Sequence, residues 1–151
     1  MNGRELAKDL AASIENDQWM TWVELPLGPV TIGNSPKADV LAVFKSFANP
    51  RFIIYEVKVA RSDFLADCAR GKYQQYMKYC TQFYFATPAG LVKKEEVPPR
   101  CGLLVKNESG WHSVKAGTRN DFQPSTELML KLLMRGFENH QQKYRDLAKK
   151  D

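Results

Sequence analysis

The chain has 151 residues, of which 44% are hydrophobic and 26% are charged. These proportions predict one globular domain over residues 1–151 and exclude a fibrous, disordered or disulfide-scaffolded protein. The net charge of +5 is uneven, because residues 1–70 hold 8 Lys and Arg against 9 Asp and Glu, whereas residues 71–151 hold 14 against 8. A basic second half suits a polyanionic partner, since phosphate contacts by Lys and Arg release condensed counterions.

The cysteines and the hydropathy pattern indicate the compartment in which the chain works. Cys68, Cys80 and Cys101 stand far apart without a Cys-x-x-Cys pair, and their odd number leaves at least one thiol free. Such usage is typical of a reducing cytosol. No apolar run approaches the ~18 residues that a membrane span requires. We therefore expect a cytoplasmic protein without a membrane partner.

The first half of the chain predicts one helix followed by three strands. Apolar residues recur every four positions between charges over residues 4–14, which indicates an amphipathic helix. Three segments rich in aromatic and β-branched residues are predicted to be strands: residues 19–25, 38–44 and 52–59. Gly and Pro predict turns at 28–29 and 33–36. We expect the second and third strands to form the centre of a sheet.

The second half predicts alternating helices and strands. A helix over residues 64–80 can be capped by Ser62 or Asp63, and Gly71 weakens or breaks it midway. The elements predicted after it are a strand, a hairpin pair and a long helix: residues 82–86, 101–105 with 111–114, and 125–150. This order predicts an α/β fold in which helices flank one central mixed sheet.

Charged residues in the most apolar strands point to chemistry. Glu56 and Lys58 lie two residues apart, so the period of a strand sends both side chains to the same face. Burying such charges costs several kcal/mol unless they are paired or ligated. Asp39 lies in the preceding predicted strand, which a short hairpin brings beside Glu56. The two carboxylates with the Val57 carbonyl make an oxygen site suited to Mg²⁺. At its edge, Lys58 can position a water or stabilise charge on a phosphate.

These residues resemble the signature of the PD-(D/E)XK nuclease superfamily, in which an aspartate is followed by Glu-x-Lys. The pattern here departs slightly, because Pro36 stands three residues before Asp39 and not directly before it. A closer resemblance, to MmcB-like DNA repair nucleases, spans about residues 22 to 112. It is carried by five segments: Glu-Leu-Pro-Leu (24–27), Ala-Asp-Val-Leu-Ala-Val (38–43), Tyr-Glu-Val-Lys-Val (55–59), Arg-Ser-Asp-Phe (61–64) and Gln-Phe-Tyr-Phe-Ala-Thr-Pro (82–88).

The resemblance implies a restriction-endonuclease-like fold and a DNA nuclease of repair or recombination that depends on Mg²⁺ or Mn²⁺. It implies that Asp39, Glu56 and the Val57 carbonyl bind the metal, and that Lys58 is the catalytic lysine. The expected products are 5′-phosphate and 3′-hydroxyl ends.

Residues of the predicted 64–80 helix extend the resemblance. Gln75 and Tyr79 match a Gln-x-x-x-Tyr pattern that some branches carry after the Glu-x-Lys strand. With Lys72 and Tyr76 they are predicted to share one helical face, which the family places beside the substrate. The alternative for all four is ordinary helix packing, and for the tyrosines it is burial in the core.

Two further acidic residues compete for an accessory metal role. Gly3-Arg4-Glu5 resembles the first-helix glutamate of Holliday-junction-resolvase-like members, whereas Glu24 lies on the first predicted strand. The sequence leaves both open.

The alternative function is a catalytically silent nuclease-fold protein that binds branched DNA or a repair partner. Retention of Asp39, Glu56 and Lys58 argues against it, since a binding module has no need of charges in apolar strands. DNA is the expected partner, while RNA as a substrate and a homodimer stay open.

Overall fold

A mixed β-sheet forms the centre of the protein in a computed structural model that describes residues 1–28 and 36–150. In this part of the chain the sheet has six strands, whose spatial order follows the sequence. They are β1 (Trp19–Pro26), β2 (Lys37–Phe44), β3 (Phe52–Val57), β4 (Gln82–Pro88), β5 (Gly102–Asn107) and β6 (Gly110–Lys115). Neighbouring strands run antiparallel, except that β4 is parallel to both β3 and β5.

Helices cover both faces of the sheet. They are α1 (Gly3–Ile14), α2 (Arg61–Arg70), α3 (Gln74–Met77) and α4 (Thr126–Ala148), with a 3₁₀ turn at Lys94–Glu96. Apolar residues of α1 are buried on one face, and those of α2, α3 and α4 are buried on the other. The predicted α/β fold with a central mixed sheet flanked by helices is therefore confirmed. In the described ranges, no helix combines the length and hydrophobicity that crossing a bilayer requires.

The amphipathic pattern of α1 explains how it is held. Leu6 and Leu10, four residues apart, are buried in one cluster with residues of β2 and β3. The Asn2 side chain accepts a hydrogen bond from the Glu5 N–H at 2.9 Å, and the Glu5 carboxylate accepts one from the Asn2 N–H at 3.0 Å. This capping box fixes the start of the helix.

Aromatic rings build the core on the opposite face. Phe64 of α2 meets Phe85 of β4 edge to face, with ring centroids 5.0 Å apart. Tyr76 of α3 stacks on Phe83, with centroids 5.5 Å apart. The crossover from β3 to the parallel strand β4 thus packs α2 and α3 on the sheet.

Several predicted boundaries are wrong. The third strand ends at Val57 and not at residue 59, although the Lys58 N–H still donates to the Ala86 carbonyl at 3.0 Å. The centre of the sheet is β3 with β4 and not the second and third strands, because three strands, β4, β5 and β6, lie beyond β3. The turns predicted at 28–29 and 33–36 fall mainly on residues 29–35, which lie outside the described residues.

The predicted 64–80 helix is two separate helices. The first begins at Arg61 with Ala60 as its N-cap, so Ser62 and Asp63 lie inside its first turn and neither is the predicted N-cap. Gly71 ends it in a left-handed conformation, with φ of +66°. This confirms the predicted break, because glycine adopts positive φ without steric cost.

Candidate active site

The register of the β2–β3 hairpin brings two carboxylates together. Leu41 pairs with Ile54, and Val40 pairs with Tyr55. Continuing this register by one residue places Asp39 opposite Glu56. Residues directly opposite in an antiparallel pair have Cβ atoms about 5 Å apart. The Asp39 Oδ2 atom also accepts a hydrogen bond from the Val57 N–H at 2.8 Å.

Glu56 is a buried carboxyl group that is only partly satisfied. Its residue is 6% exposed, and its Oε2 atom has no hydrogen-bond partner within the described ranges. Burial, followed by repulsion from Asp39, raises the pKa of Glu56 to about 9. A carboxylate in such surroundings requires either a proton or a cation.

Asp39 shares this environment. Burial raises its pKa, and the Val57 hydrogen bond and the Lys58 charge oppose part of that rise. The negative charge of Glu24 raises the Asp39 pKa further. Glu24 lies between Val23 and Leu25, which pair with the residues on either side of Asp39.

Glu24 and Glu5, the two candidates for an accessory role, differ in position. Glu24 has a left-handed backbone with φ of +53°, a conformation that costs about 1–2 kcal/mol for a residue with a Cβ. Its side chain is 39% exposed and lies 3.9 Å from the Arg4 guanidinium. The carboxylate of Glu5, by contrast, is occupied in the α1 capping box. Of the two, Glu24 is the one whose charge acts on Asp39.

Lys58 lies one residue beyond β3 and has a partner that sequence reasoning missed. Its Nζ atom is 3.0 Å from Oδ2 of Asp67 on α2, and the two side chains are 11% and 1% exposed. The positive charge of Lys58 also lowers the pKa of Asp39 and of Glu56. A signal existed in the sequence: Asp67 follows the apolar Phe64 by three residues, a spacing that puts both on one helical face.

The four predicted substrate residues do not share a helical face. Lys72 precedes α3, Tyr79 follows it, and the helix between them is only four residues long. Lys72 and Gln75 are exposed and Tyr79 is half-buried, whereas Tyr76 is buried. The predicted single face is wrong because the Gly71 turn ends the helix on which it depended.

Tyr76 is nevertheless close to the carboxylates. Its hydroxyl donates to the Lys37 carbonyl at 3.3 Å. Burial raises the pKa of Tyr76, and the negative charge of Glu56 raises it further. The ring therefore belongs to the core while the hydroxyl borders the site.

The donor set suits a hard cation that retains water. Over residues 1–28 and 36–150, no three His, Cys, Asp or Glu side chains cluster at metal-binding geometry. Two carboxylates are nevertheless enough for Mg²⁺, which takes few protein ligands and keeps several waters. The buried Oε2 atom of Glu56 without a partner fits such an ion.

Glu56→Gln is expected to stabilise the metal-free protein, and increasingly so as the pH rises. The Glu56 pKa is about 9 in the folded state against 4.5 as its ordinary value, so the wild type loses stability between these two pH values. Glutamine does not ionise and escapes this loss. We expect the melting temperature in EDTA to exceed that of the wild type by roughly 5 °C or more at pH 8.5, and by little at pH 4.5.

Glu108→Gln, in the exposed turn between β5 and β6, is the matched control and is expected to melt like the wild type at both pH values. A Glu56→Gln shift of equal size at both pH values would contradict the buried, protonated state of this carboxyl.

Comparisons with known proteins bear on the family and on the fold. A family model described as DNA repair protein MmcB-like matches residues 9–144, a range that contains Asp39, Glu56, Lys58 and Asp67. Among solved structures, a protein of unknown function from Silicibacter pomeroyi is similar, with a TM-score of 0.75 and 20% identity. That match covers 98% of this chain and 94% of the other, and at such identity it shows a shared fold alone. No curated protein matches the chain.

Proposed function

Since the chain belongs to the DNA repair protein MmcB-like family, we propose that it is a metal-dependent nuclease that hydrolyses DNA phosphodiester bonds during repair. The family supports the repair role. The observation that carries the chemistry is the juxtaposition of Asp39 and Glu56, with a buried carboxylate oxygen that has no partner in the described part of the chain.

Asp39, Glu56 and the Val57 carbonyl would hold Mg²⁺ or Mn²⁺. A divalent cation at this position supplies Lewis-acid stabilisation of the charge on a phosphate. Two observations support the assignment: the pKa of both carboxyl groups is raised by burial, and they stand across from each other on adjacent strands. A cation removes the cost of ionising them together.

Lys58 adds a positive charge from the protein itself to that of the metal ion. Its ammonium lies at the end of β3, near enough to lower the pKa of both carboxyl groups. In this position it orients a water and stabilises charge that develops on the phosphate. The water oxygen gives up a proton and forms a bond to phosphorus, the bond from phosphorus to the 3′ oxygen breaks, and that oxygen takes up a proton. The ends produced are a 5′-phosphate and a 3′-hydroxyl.

We extend the proposal to the PD-(D/E)XK superfamily and its restriction-endonuclease-like fold. In support, Asp39 lies on β2 and Glu56-Val57 closes the neighbouring strand β3, with Lys58 directly after it. The helices α2 and α3 follow on the face of the sheet opposite α1, where Asp67 of α2 meets the Lys58 side chain.

Cleavage of a nucleic-acid panel tests the proposal directly. Single-stranded, duplex, flap and four-way DNAs and a matched RNA are incubated with Mg²⁺, Mn²⁺ or EDTA. We expect metal-dependent cleavage of at least one DNA by the wild type and by Lys45→Ala, an exchange in the hairpin loop at the opposite end of β2. We expect Lys58→Ala to cleave the same DNA at least about 100-fold more slowly. Binding of branched DNA without cleavage under every condition would favour the catalytically silent alternative.

Gln75→Ala and Tyr79→Phe are each expected to lower kcat/KM about 5- to 100-fold, because each removes a hydrogen-bonding group worth ~1–3 kcal/mol in the transition state. Kinetics on the preferred DNA of the panel measure this effect. Gln74 is exposed on α3 beside Gln75, and Gln74→Ala is the control that we expect to leave kcat/KM unchanged. Wild-type values for both variants would show that the Gln-x-x-x-Tyr match is accidental.

A further inference from the structure

The proposed catalytic lysine is paired with a residue outside the proposed metal-ligand set. Within the described residues, the Lys58 ammonium forms an ion pair with Asp67, and with neither Asp39 nor Glu56. Both partners are almost completely buried, with side chains 11% and 1% exposed. An ammonium on a flexible four-carbon stem is therefore fixed at one place beside the carboxylate pair.

The backbone around Gly71 holds the Asp67 carboxylate rigidly. Its Oδ1 atom accepts a hydrogen bond from the Tyr73 N–H at 2.9 Å, while Oδ2 faces Lys58. The Asp67 carbonyl accepts another from the Lys72 N–H at 3.2 Å. The left-handed conformation of Gly71 turns the chain so that both N–H groups point back at the end of α2. Asp67 thus connects Lys58 to the segment that leads into α3.

Stability alone does not account for this pair. Well-packed apolar residues are often as stabilising as a buried ion pair, because both charges lose their hydration. The surroundings are suited to such residues, since Phe64 of the same helix is fully buried. The Lys58–Asp67 pair differs from an ordinary buried ion pair because two more carboxyl groups, those of Asp39 and Glu56, lie within electrostatic reach of the Lys58 ammonium. Without Asp67, those groups are the next anionic partners for the ammonium.

We propose that Asp67 is a positioning residue that holds the Lys58 ammonium off the Asp39–Glu56 pair, leaving that pair open to a divalent cation. The inference rests on the proposed function. Asp67 itself binds neither the metal nor the DNA. It acts through Lys58, because an ammonium released from Asp67 would compete with the cation for the Asp39 and Glu56 carboxylates.

Calorimetric titration with Mn²⁺ tests the inference in four proteins: the wild type, Asp67→Asn, Lys58→Ala and the double variant Lys58→Ala/Asp67→Asn. The asparagine Oδ1 atom can still accept from the Tyr73 N–H, so the exchange removes the ion pair and leaves the turn. We expect Asp67→Asn to weaken Mn²⁺ binding about 10- to 100-fold, as loss of outer residues at metal sites does. In the double variant the competing ammonium is absent, and the affinity returns to that of Lys58→Ala.

Asp63→Asn is the matched control, because it removes the same charge from an exposed position of the same helix and is expected to bind Mn²⁺ like the wild type. With DNA, we expect Asp67→Asn to lower kcat at an unchanged KM. If Asp67→Asn does not fold, Asp67→Ser replaces it in both proteins, since its hydroxyl oxygen can also accept a backbone hydrogen bond.

The outcomes separate the inference from the function on which it rests. A wild type that binds no Mn²⁺ overturns both. Wild-type affinity in Asp67→Asn overturns the inference alone. An equal loss in Asp67→Asn and in the double variant also overturns it, since the Asp67 charge would then act on the cation without Lys58. Loss in the single variant with recovery in the double supports it.

Discussion

Asp39→Ala and Glu56→Ala are each expected to weaken Mn²⁺ binding by more than about 100-fold, beyond the 10- to 100-fold that loss of an outer residue costs. The reason is that the described part of the chain offers no third acidic, histidine or cysteine side chain at metal-binding geometry to replace the missing one. DNA cleavage is expected to fall below detection with either variant. Calorimetry with Mn²⁺ and cleavage of the preferred DNA measure the two effects.

Asp63→Ala and Glu108→Ala remove exposed carboxylates elsewhere and serve as controls, for which we expect wild-type titrations. Asp39→Ala also removes the acceptor of the Val57 N–H, so a melting curve must show that it folds. If folded Asp39→Ala and Glu56→Ala titrate with Mn²⁺ as the wild type does, the proposed metal site is wrong.

Lys58→Ala is expected to lower kcat about 10²- to 10³-fold, the range for removal of one group that stabilises transition-state charge. DNA affinity is expected to change little, because Lys58 is one nearly buried charge and the polyanion meets the exposed basic residues of the second half. Single-turnover rates and salt-dependent binding curves separate the two quantities. Near wild-type cleavage by Lys58→Ala would exclude a catalytic role.

Lys94→Ala replaces an exposed lysine and is the matched control, in which we expect DNA affinity and not the cleavage rate to change. It weakens DNA binding at an unchanged cleavage rate and reduces the salt slope by about 1, which corresponds to one phosphate contact. An affinity for DNA that does not depend on salt would contradict the electrostatic part of the proposal.

Lys58→Ala also leaves the Asp67 carboxylate buried without its partner, which costs about 3–5 kcal/mol of stability. The double variant Lys58→Ala/Asp67→Asn removes both charges and is expected to recover much of this loss. Its kcat is expected to remain as low as that of Lys58→Ala. This comparison distinguishes a lost catalytic group from a destabilised protein.

Local patterns in the sequence were sufficient for the order of the elements and for the approach of Asp39 to Glu56. Strand alternation and the short β2–β3 connection act over a few residues, and they determine which side chains share a face of the sheet. The break at Gly71 was predictable for the same reason, since a left-handed residue ends a helix wherever it lies. The family resemblance added the proposed roles of Asp39, Glu56 and Lys58.

Tertiary packing decided what these patterns left open. Asp67 meets Lys58 only because the parallel crossover to β4 packs α2 on the face of the sheet where Lys58 emerges. The same packing buries Tyr76 against Phe83 and leaves Gln75 exposed, although helical spacing had put both on one surface. The left-handed backbone of Glu24 depends likewise on its neighbours in the folded sheet. Periodicity determines which side chains share one face of a helix or strand. Which element covers that face depends on contacts between residues distant in the chain, and no local pattern contains them.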